Sequence, residues 1–326
     1  GLDSKIIGSD LDKITLILEK ELKKILTNKE KPIQTVVYRK NLALESWAIS
    51  FLKKEDFILE FLNRVNECAL VGENLNILFG FISTLTRFQK VQIHIIIQSE
   101  SSTGKSTLLN LLADFVPDED KFYFTIISAK SLYHGEERAL SEKCLFIAEM
   151  QGLSEAHQAL QQMMTEGKLI NYYTMTDPKT GKFMNMSNTV YGPMQCNITF
   201  PTENIFEDLA NRCGILIMDD SEEQQERIMA FQRLMASPEG AHLRKMRQIF
   251  IEQMQHVQRA LRLKKAINYY TKHLHYRANV SNRRLRDNQR YLLTIEMFAI
   301  LFQFHRETLV IDGEEYVKVH VIDVIL

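Results

Sequence analysis

Residues 91–110, VQIHIIIQSESSTGKSTLLN, begin as an apolar run, pass through a Ser/Gly-rich turn and then open an amphipathic helix. Strand, turn and helix in this order are the layout of a phosphate-binding P-loop, usually written G-x-x-x-x-G-K-[ST]. In such a turn the loop amides and the first helical N–H groups point at one spot, where the helix dipole adds positive potential. Ser99 stands in the place of the first glycine. The stretch therefore predicts a site for the phosphates of a nucleotide.

The side chains of this loop divide into two roles. Lys105 is expected to reach the β- and γ-phosphates of ATP, and the Ser106 hydroxyl is expected to ligate Mg²⁺. The alternative is a chance Gly-Lys-Ser at a loop, which the order of strand, loop and helix disfavours. The predicted nucleotide-binding residues are Ser99, Ser101, Ser102, Thr103, Gly104, Lys105, Ser106 and Thr107.

Composition sets the bounds for the rest of the chain. The 326 residues suffice for about two domains, and 45% apolar with 25% charged residues is ordinary for a globular protein. The four cysteines lack C-x-x-C spacing, which indicates reduced intracellular thiols and a cytoplasmic location. No apolar run approaches a membrane span, so no membrane association is expected. The start at Gly-Leu and the end inside a patterned segment suggest a fragment of a longer protein.

The hydrophobic pattern predicts an α/β fold, a P-loop AAA+-type αβα core with a mainly parallel sheet and a β-hairpin insertion, flanked by helical regions. Helical spacing marks 11–29, 42–66 and 73–89, and strands are expected near 122–127, 144–149, 195–199 and 214–219. Helices are expected from 221 to about 270 and from 288 to 305, followed by a hairpin turning at Asp312-Gly313. The predicted domains are a helical region 1–90, an ATPase core 91–220 and a basic helical region 221–326 that ends in the hairpin and is truncated.

An acid is needed near the attacking water, and the strand CLFIAE ends in one. Ala148 occupies the place of the usual Asp, so Glu149 is the acid at the strand tip. We assign Glu149 to water activation and to the Mg²⁺ shell, with the ion held mainly by Ser106 and water. The alternative is a solvated residue at the end of a strand.

Two further residues are candidates for contact with the nucleotide phosphates. Asn197 and Thr199 share one face of their strand, and Thr199 is assigned to sensing the γ-phosphate; the alternative is a cap for the next helix. Arg212, in a Leu-x-Asn-Arg setting, resembles an arginine finger that would stabilise transition-state charge in an adjacent subunit. A structural ion pair with Glu207 or Asp208 is its alternative.

Positive charge is concentrated in two places. Alternating arms around a DPKTG turn predict a protruding hairpin with Lys179 and Lys182 at its tip, where ring-shaped DNA motors carry a pore loop. Residues 239–290 hold 13 Lys or Arg against 3 Asp or Glu, a surface that favours phosphate backbones. A solvated face with acidic neighbours is an equal alternative. The predicted nucleic-acid contacts are Lys179, Lys182, Arg283, Arg284 and Arg286.

Several of these blocks together resemble one family. The chain from about Asn63 to Asp323 is similar to the helicase-like AAA+ ATPase region of bacterial mobile-element primase-like proteins, which often begin with a primase-type zinc finger. The blocks are QSESSTGKSTLLNLLADFVPDED, SLYHGEE, LFIAEMQG, TEGKL, DPKTGK, YGP, DLANRC and RRLRDNQRYL. The family pattern also carries Ala-Glu at the second strand and a Ser before the loop. The resemblance implies ATP hydrolysis coupled to DNA in an oligomeric ring similar to superfamily-3 helicases.

Two functions follow as hypotheses. The first is a DNA-dependent ATPase, a helicase or translocase in replication of a mobile element. ATP hydrolysis would depend on Lys105, Glu149, Thr199 and Arg212. The chain would form a homo-oligomer, expected to be a hexameric ring, and would bind single-stranded DNA through its phosphates. The second is an AAA+ nucleotide switch or loader whose hairpin contacts a protein partner without unwinding DNA. Stimulation of ATP turnover by single-stranded DNA separates the two.

Overall fold

The computed structural model describes residues 38–99, 104–125, 127–133, 136–148, 154–176, 182–201, 207–261, 265–274 and 283–325. The predicted helix 11–29 lies outside these residues. Short 3₁₀ turns cover Thr86–Phe88, Asp118–Asp120, Thr271–His273 and Gln303–His305. In chain order the other elements are α1 (Leu42–Leu52), α2 (Phe57–Cys68), α3 (Asn74–Leu85), β1 (His94–Ser99), α4 (Lys105–Phe115), β2 (Lys121–Phe124), α5 (Ala129–Tyr133), β3 (Lys143–Ile147), α6 (Ser154–Glu166), β4 (Lys168–Thr176), β5 (Phe183–Tyr191), β6 (Met194–Pro201), α7 (Glu207–Ala210), β7 (Cys213–Ile217), α8 (Glu222–Ala236), α9 (Pro238–Ala260), β8 (Lys265–Ile267), α10 (Arg284–Leu301), β9 (Thr308–Ile311), β10 (Glu314–Lys318) and α11 (Val321–Ile325).

A five-stranded parallel sheet carries the candidate site. Its strand order is β2-β3-β6-β1-β7, so β6 lies between the P-loop strand β1 and the strand β3 that precedes Glu149. Strand β1 is buried along nearly its whole length, as expected for a parallel strand with both faces covered. The predicted α/β fold class with a P-loop αβα core is confirmed.

The sheet separates two apolar layers. Ile95 and Ile97 of β1 pack into a cluster with α1 to α4, α9 and α10. Ile96 points to the other face and joins a cluster that includes α6 and α7, because successive strand side chains alternate between faces. Residues Lys40–Leu326 form one compact unit. The four cysteines are buried free thiols.

The insertion between β3 and β6 is a helix followed by a hairpin. Helix α6 ends at Glu166, and β4 and β5 pair antiparallel from Lys168↔Tyr191 to Thr176↔Phe183. The predicted hairpin is therefore confirmed. Its turn, residues 177–181, lies outside the described residues together with Lys179.

The helical regions differ from the sequence prediction in two places. The pattern 42–66 is two helices, α1 and α2, broken by the charged stretch Lys53–Asp56, and the break lets Phe51 pack edge-on against Phe57 with ring centroids 6.0 Å apart. The helix expected to about residue 270 ends at Ala260, since Lys265–Ile267 pairs with β10. Tertiary pairing overrides local propensity there.

The hairpin predicted near the end of the chain is present. Strands β9 and β10 are antiparallel, and Asp312 and Gly313 have φ of 51° and 81°, which suits a two-residue type I′ turn. The short helix α11 follows this hairpin, which the sequence did not indicate. None of the helices in the described ranges is long and apolar enough to cross a membrane.

Candidate nucleotide-binding site

The carboxyl edge of the parallel sheet gathers the ends of four strands. Ser99 of β1 is in register with Pro201 of β6, and Gln98 is opposite Ile217 of β7. On the far side of β6, the end of β3 at Ile147 pairs with Ile198. Ligand sites of open α/β sheets lie at this edge. In the sequence, the P-loop, Glu149 and Thr199 stand at or just after the ends of these strands, whereas Arg212 precedes β7.

The P-loop prepares helix α4 for an anion. Gly104 has φ +94°, a conformation that favours glycine, and it precedes the first helical residue, Lys105. The first turn of α4 contains no acidic residue, so no carboxylate of that turn offsets the positive end of the helix dipole. Lys105 Nζ donates to the Ser99 carbonyl at 2.6 Å, which joins the two ends of the loop. Ser101, Ser102 and Thr103 lie outside the described residues.

These residues fit a nucleotide phosphate and a magnesium ion. Ser106 and Thr107 are exposed in the first turn of α4. Mg²⁺ at such sites is held by one or two protein groups, water and the nucleotide phosphates, so no cage of protein ligands is needed. No cluster of three or more His, Cys, Asp or Glu that could hold a metal occurs in the part of the chain that the structure describes. Bound Mg²⁺ would neutralise charge on the phosphates.

Thr199 lies at the carboxyl edge, directly beside the strand that leads to Glu149. Its hydroxyl donates to the Ala148 carbonyl, and the Ala148 N–H donates to the Phe124 carbonyl at 3.0 Å. The residue before Glu149 is therefore held from both neighbouring strands. Glu149 itself is outside the described residues, and its role and the sensing role of Thr199 stay predictions.

A polar stripe runs back from Thr199 along β6. Asn197 and Gln195 are fully buried on the same face, and the Asn197 amide donates to the Gln195 side chain at 2.6 Å. Gln195 in turn donates to the Ile93 carbonyl at 3.0 Å. Asn197 is thus engaged inside the sheet, which leaves Thr199 as the polar side chain of this stripe at the edge.

A buried carboxylate beside the P-loop was missed by sequence reasoning. Glu73, 5% exposed, accepts from the Asp219 N–H at 2.9 Å and from the Asn76 amide at 2.6 Å. Asn76 also donates to the Ile217 carbonyl at 2.9 Å, so helix α3 is tied to the end of β7. Met218, between these residues, lies 3.7 Å from the position of a Cβ at Gly104. The sequence shows only an acid before a helix and does not indicate its long-range partners.

Arg212 lies at the opposite, amino edge of the sheet. It directly precedes β7, whose five residues at about 3.3 Å each put roughly 16 Å between Arg212 and the P-loop edge. Arg212 is half-buried; Nε donates to Thr165 Oγ1 at 2.9 Å and one NH group to the Asp208 carbonyl at 2.5 Å. No ion pair joins it to the carboxylate of Asp208 or Glu207, all three being described. Its pKa is lowered by burial and then by the charge of Arg286.

The basic stretch divides into paired and exposed residues. Arg247 pairs with Asp114 at 3.2 Å and Arg259 with Glu119 at 2.7 Å, and both pairs attach α9 to the segment after the P-loop. These two ion pairs agree with the alternative prediction for the basic stretch, a solvated face with acidic neighbours. The candidate DNA contacts have different surroundings: Arg283 is half-buried and donates to the Cys213 carbonyl at 3.1 Å, whereas Arg284, Arg286 and Lys182 are exposed.

The sheet, the glycine turn and the helix that starts at Lys105 define a P-loop NTPase. The family model of the MTBMA_p00010 P-loop domain matches residues 42–251, more than half of the chain, and the chain belongs to that family. No curated protein matches it. The matched range includes the predicted core 91–220 and extends beyond it on both sides, while the predicted domain boundaries stay predictions.

Proposed function

We propose that this P-loop NTPase is an ATP-hydrolysing, DNA-dependent AAA+-type motor, a helicase or translocase that serves replication of a mobile element. Lys105 and Ser106 would bind the phosphates and Mg²⁺, Glu149 would activate water, and Thr199 would sense the γ-phosphate. The blocks shared with mobile-element primase-like proteins support the biological setting. A cytoplasmic location stays a prediction.

The position of Arg212 carries this proposal. An arginine at the amino edge of β7 cannot reach the nucleotide of its own P-loop, which lies roughly 16 Å away along the strand. If Arg212 contacts phosphates during hydrolysis, it must do so in a second copy of the chain. Sites completed between copies support a homo-oligomer, because head-to-tail contacts between copies can close into a ring. The resemblance to superfamily-3 helicases implies a hexameric ring.

The outer half of the β4–β5 hairpin supports a contact with single-stranded DNA. Tyr172 and Phe183 are 79% and 82% exposed on one face, where Thr174 donates to the Asn185 side chain. Lys182 is exposed beside Phe183. Aromatic rings on which bases stack, next to cations that follow the backbone, are the usual components of single-strand binding sites.

The opposite face of the same hairpin favours the second hypothesis, a nucleotide switch that acts on a protein. Met175, Met184 and Met186 are each more than 40% exposed, and the register puts them on one face with Tyr173. Exposed methionines adapt to varied apolar partners. The two faces of one hairpin thus point to two classes of partner, and one experiment decides between them.

The experiment compares ATP turnover with and without single-stranded DNA in the parent and in Lys179→Ala/Lys182→Ala. We expect DNA to stimulate the parent and not the double variant, whose turnover without DNA should be unchanged because neither lysine belongs to the predicted phosphate site. Lys168→Ala, at the exposed base of the same hairpin, is the charge-matched control and should keep the stimulation. A parent that DNA does not stimulate would support the switch instead.

A further inference from the structure

A cationic pocket lies at the amino edge of the sheet, opposite the P-loop. Its volume is about 260 Å³, and it is bordered by the start of β1, the end of α6, the residue before β7 and the first turns of α10. The cations that line it are Lys90, Arg212, Arg286 and Arg290. None of the described lining residues carries a carboxylate. The pocket joins the ATPase core to the basic helical region.

Neighbouring groups among the described residues compensate the positive charges of this pocket only in part. Arg290 pairs with Asp287, yet its second NH group is buried and has no hydrogen-bond partner among the described residues. His94 is only 4% exposed, and its Nδ1 also lacks a partner there. The charge of Arg286 lowers the pKa of Arg212, after the larger effect of burial, and Asp208 opposes that shift. Like charges held together in a recess favour a bound anion that pairs with them.

The volume and the charge of the pocket favour one kind of anion. At about 30 Å³ per water, its volume equals that of roughly nine waters, enough for one phosphate group with its hydration. Guanidinium groups bind phosphate oxygens two at a time. A terminal phosphate carries close to two negative charges at neutral pH, whereas DNA offers single charges along a track. Cations that converge on one recess suit the compact, doubly charged group.

We propose that this pocket binds the terminal phosphate of a nucleotide held by the P-loop of a second copy of this chain, and that Arg286 and Arg290 act there together with Arg212. This inference rests on the proposed function, because it needs a neighbouring P-loop. It assigns helix α10, which lies beyond the matched P-loop domain, to the active site of the adjacent copy. It also gives Arg286 a nucleotide contact in place of the DNA contact expected from sequence.

The first test is Arg286→Gln, because the exposed Arg286 side chain can change without disturbing the core. We expect ATP turnover without DNA to fall about 10- to 100-fold, the usual effect of losing one charge-assisted hydrogen bond. Mixing with Lys105→Ala should restore part of the turnover, since those subunits present an intact pocket to a competent P-loop. Arg286→Lys should retain more activity than Arg286→Gln. Arg233→Gln, an equal charge change on exposed α8, should match the parent.

The second test measures the anion directly, with inorganic phosphate as the probe. In a Lys105→Ala background, phosphate should raise the thermal unfolding midpoint more than chloride of equal ionic strength, because a ligand that binds only the folded state stabilises it. Adding Arg286→Gln should remove this rise, and adding Arg233→Gln should preserve it. A rise that persists without Arg286 would overturn the phosphate site.

Two other outcomes separate the possible failures. Loss of the phosphate effect with unchanged turnover would mean that the pocket takes a free phosphate and would refute the neighbour's nucleotide. Weaker binding of a labelled oligonucleotide, again with unchanged DNA-free turnover, would assign the pocket to DNA and refute it as well. If Arg212→Ala lowers turnover and Arg286→Gln does not, this inference fails while the proposed function stands. If neither variant matters, both fail.

Discussion

The two edges of one sheet present positive charge in different ways. At the carboxyl edge the charge belongs mainly to the backbone, from the turn at Gly104 and the start of α4, with Lys105 attached to the Ser99 carbonyl. At the amino edge it belongs to the side chains of Arg212, Arg286 and Arg290. Backbone charge is fixed by the fold. Side-chain charge on two separate elements depends on how those elements meet each other and a partner.

This difference suggests a division of labour between binding and hydrolysis. We expect one chain to bind a triphosphate with its own P-loop, because the sequence of the loop and the helix that follows it belong to the same chain. The guanidinium groups that would stabilise transition-state charge lie at the far edge, where a second copy can use them. On this proposal, nucleotide binding belongs to the monomer and rapid turnover belongs to the assembly.

Lys105→Ala gives the largest expected effect, since it removes the one P-loop side-chain cation. We expect ATP turnover to fall by more than about 1,000-fold, because both phosphate binding and stabilisation of the transferring phosphoryl group are lost. The measurement is phosphate release under saturating ATP, with Lys245→Ala on the exposed surface of α9 as control. Turnover that survives this change would exclude the P-loop as the hydrolytic site.

Arg212→Ala tests the other edge and should separate binding from chemistry. We expect ATP affinity to change little and turnover to fall about 1,000-fold, within the range for arginine fingers. Equimolar mixing with Lys105→Ala should recover part of the turnover, because an interface that joins the P-loop of an Arg212→Ala subunit to the Arg212 of a Lys105→Ala subunit contains both intact groups. Fluorescent-nucleotide binding and phosphate release give the two quantities.

The absence of recovery in the mixture would contradict a site shared between copies. A parallel loss of affinity would instead indicate that Arg212 supports the fold, through its bonds to Thr165 and the Asp208 carbonyl.

The sheet and the P-loop could be predicted from sequence because their signals are local. The run before Ser99 is apolar on both faces, and both hairpins show alternation with turn residues between the arms. The sequence does not predict the break at Lys53–Asp56 or the early end of α9, because both depend on where distant residues pack. Phe51 contacts Phe57 only once the helix breaks, and Lys265–Ile267 is a strand only beside β10.

Prediction of the candidate nucleotide-binding site from sequence meets the same limit, because long-range contacts are not visible in the sequence. Lys105 and Ser106 belong to a contiguous motif with a known geometry. Glu73 approaches Asp219 across 146 positions of sequence, and Lys90, Arg212 and Arg286 meet only when β1, β7 and α10 come together. The count of charged residues in the sequence located the basic region as a whole. In the structure, Arg247 and Arg259 of this region pair with acids, whereas Arg286 lines a pocket. Long-range pairing decides which charges are available to a ligand.

The smallest expected effect is the change that His94→Gln makes in the pH dependence of stability, and this difference reports on the amino edge. Burial, followed by the charge of Arg290, lowers the pKa of His94 from 6.5 to about 3. Between these values the unfolded chain binds a proton at His94 that the folded chain does not, so the free energy of unfolding falls as the pH is lowered, by up to about 1.4 kcal/mol per pH unit. His94→Gln should flatten this slope by up to one proton, approached near pH 5, as measured by urea unfolding from pH 7 to pH 5. His157 and His256, whose pKa values are also lowered by burial, contribute equally to both proteins and cancel in the difference. Equal slopes would mean that His94 is not held neutral against the arginines, and the amino edge would then resemble an ordinary solvated surface.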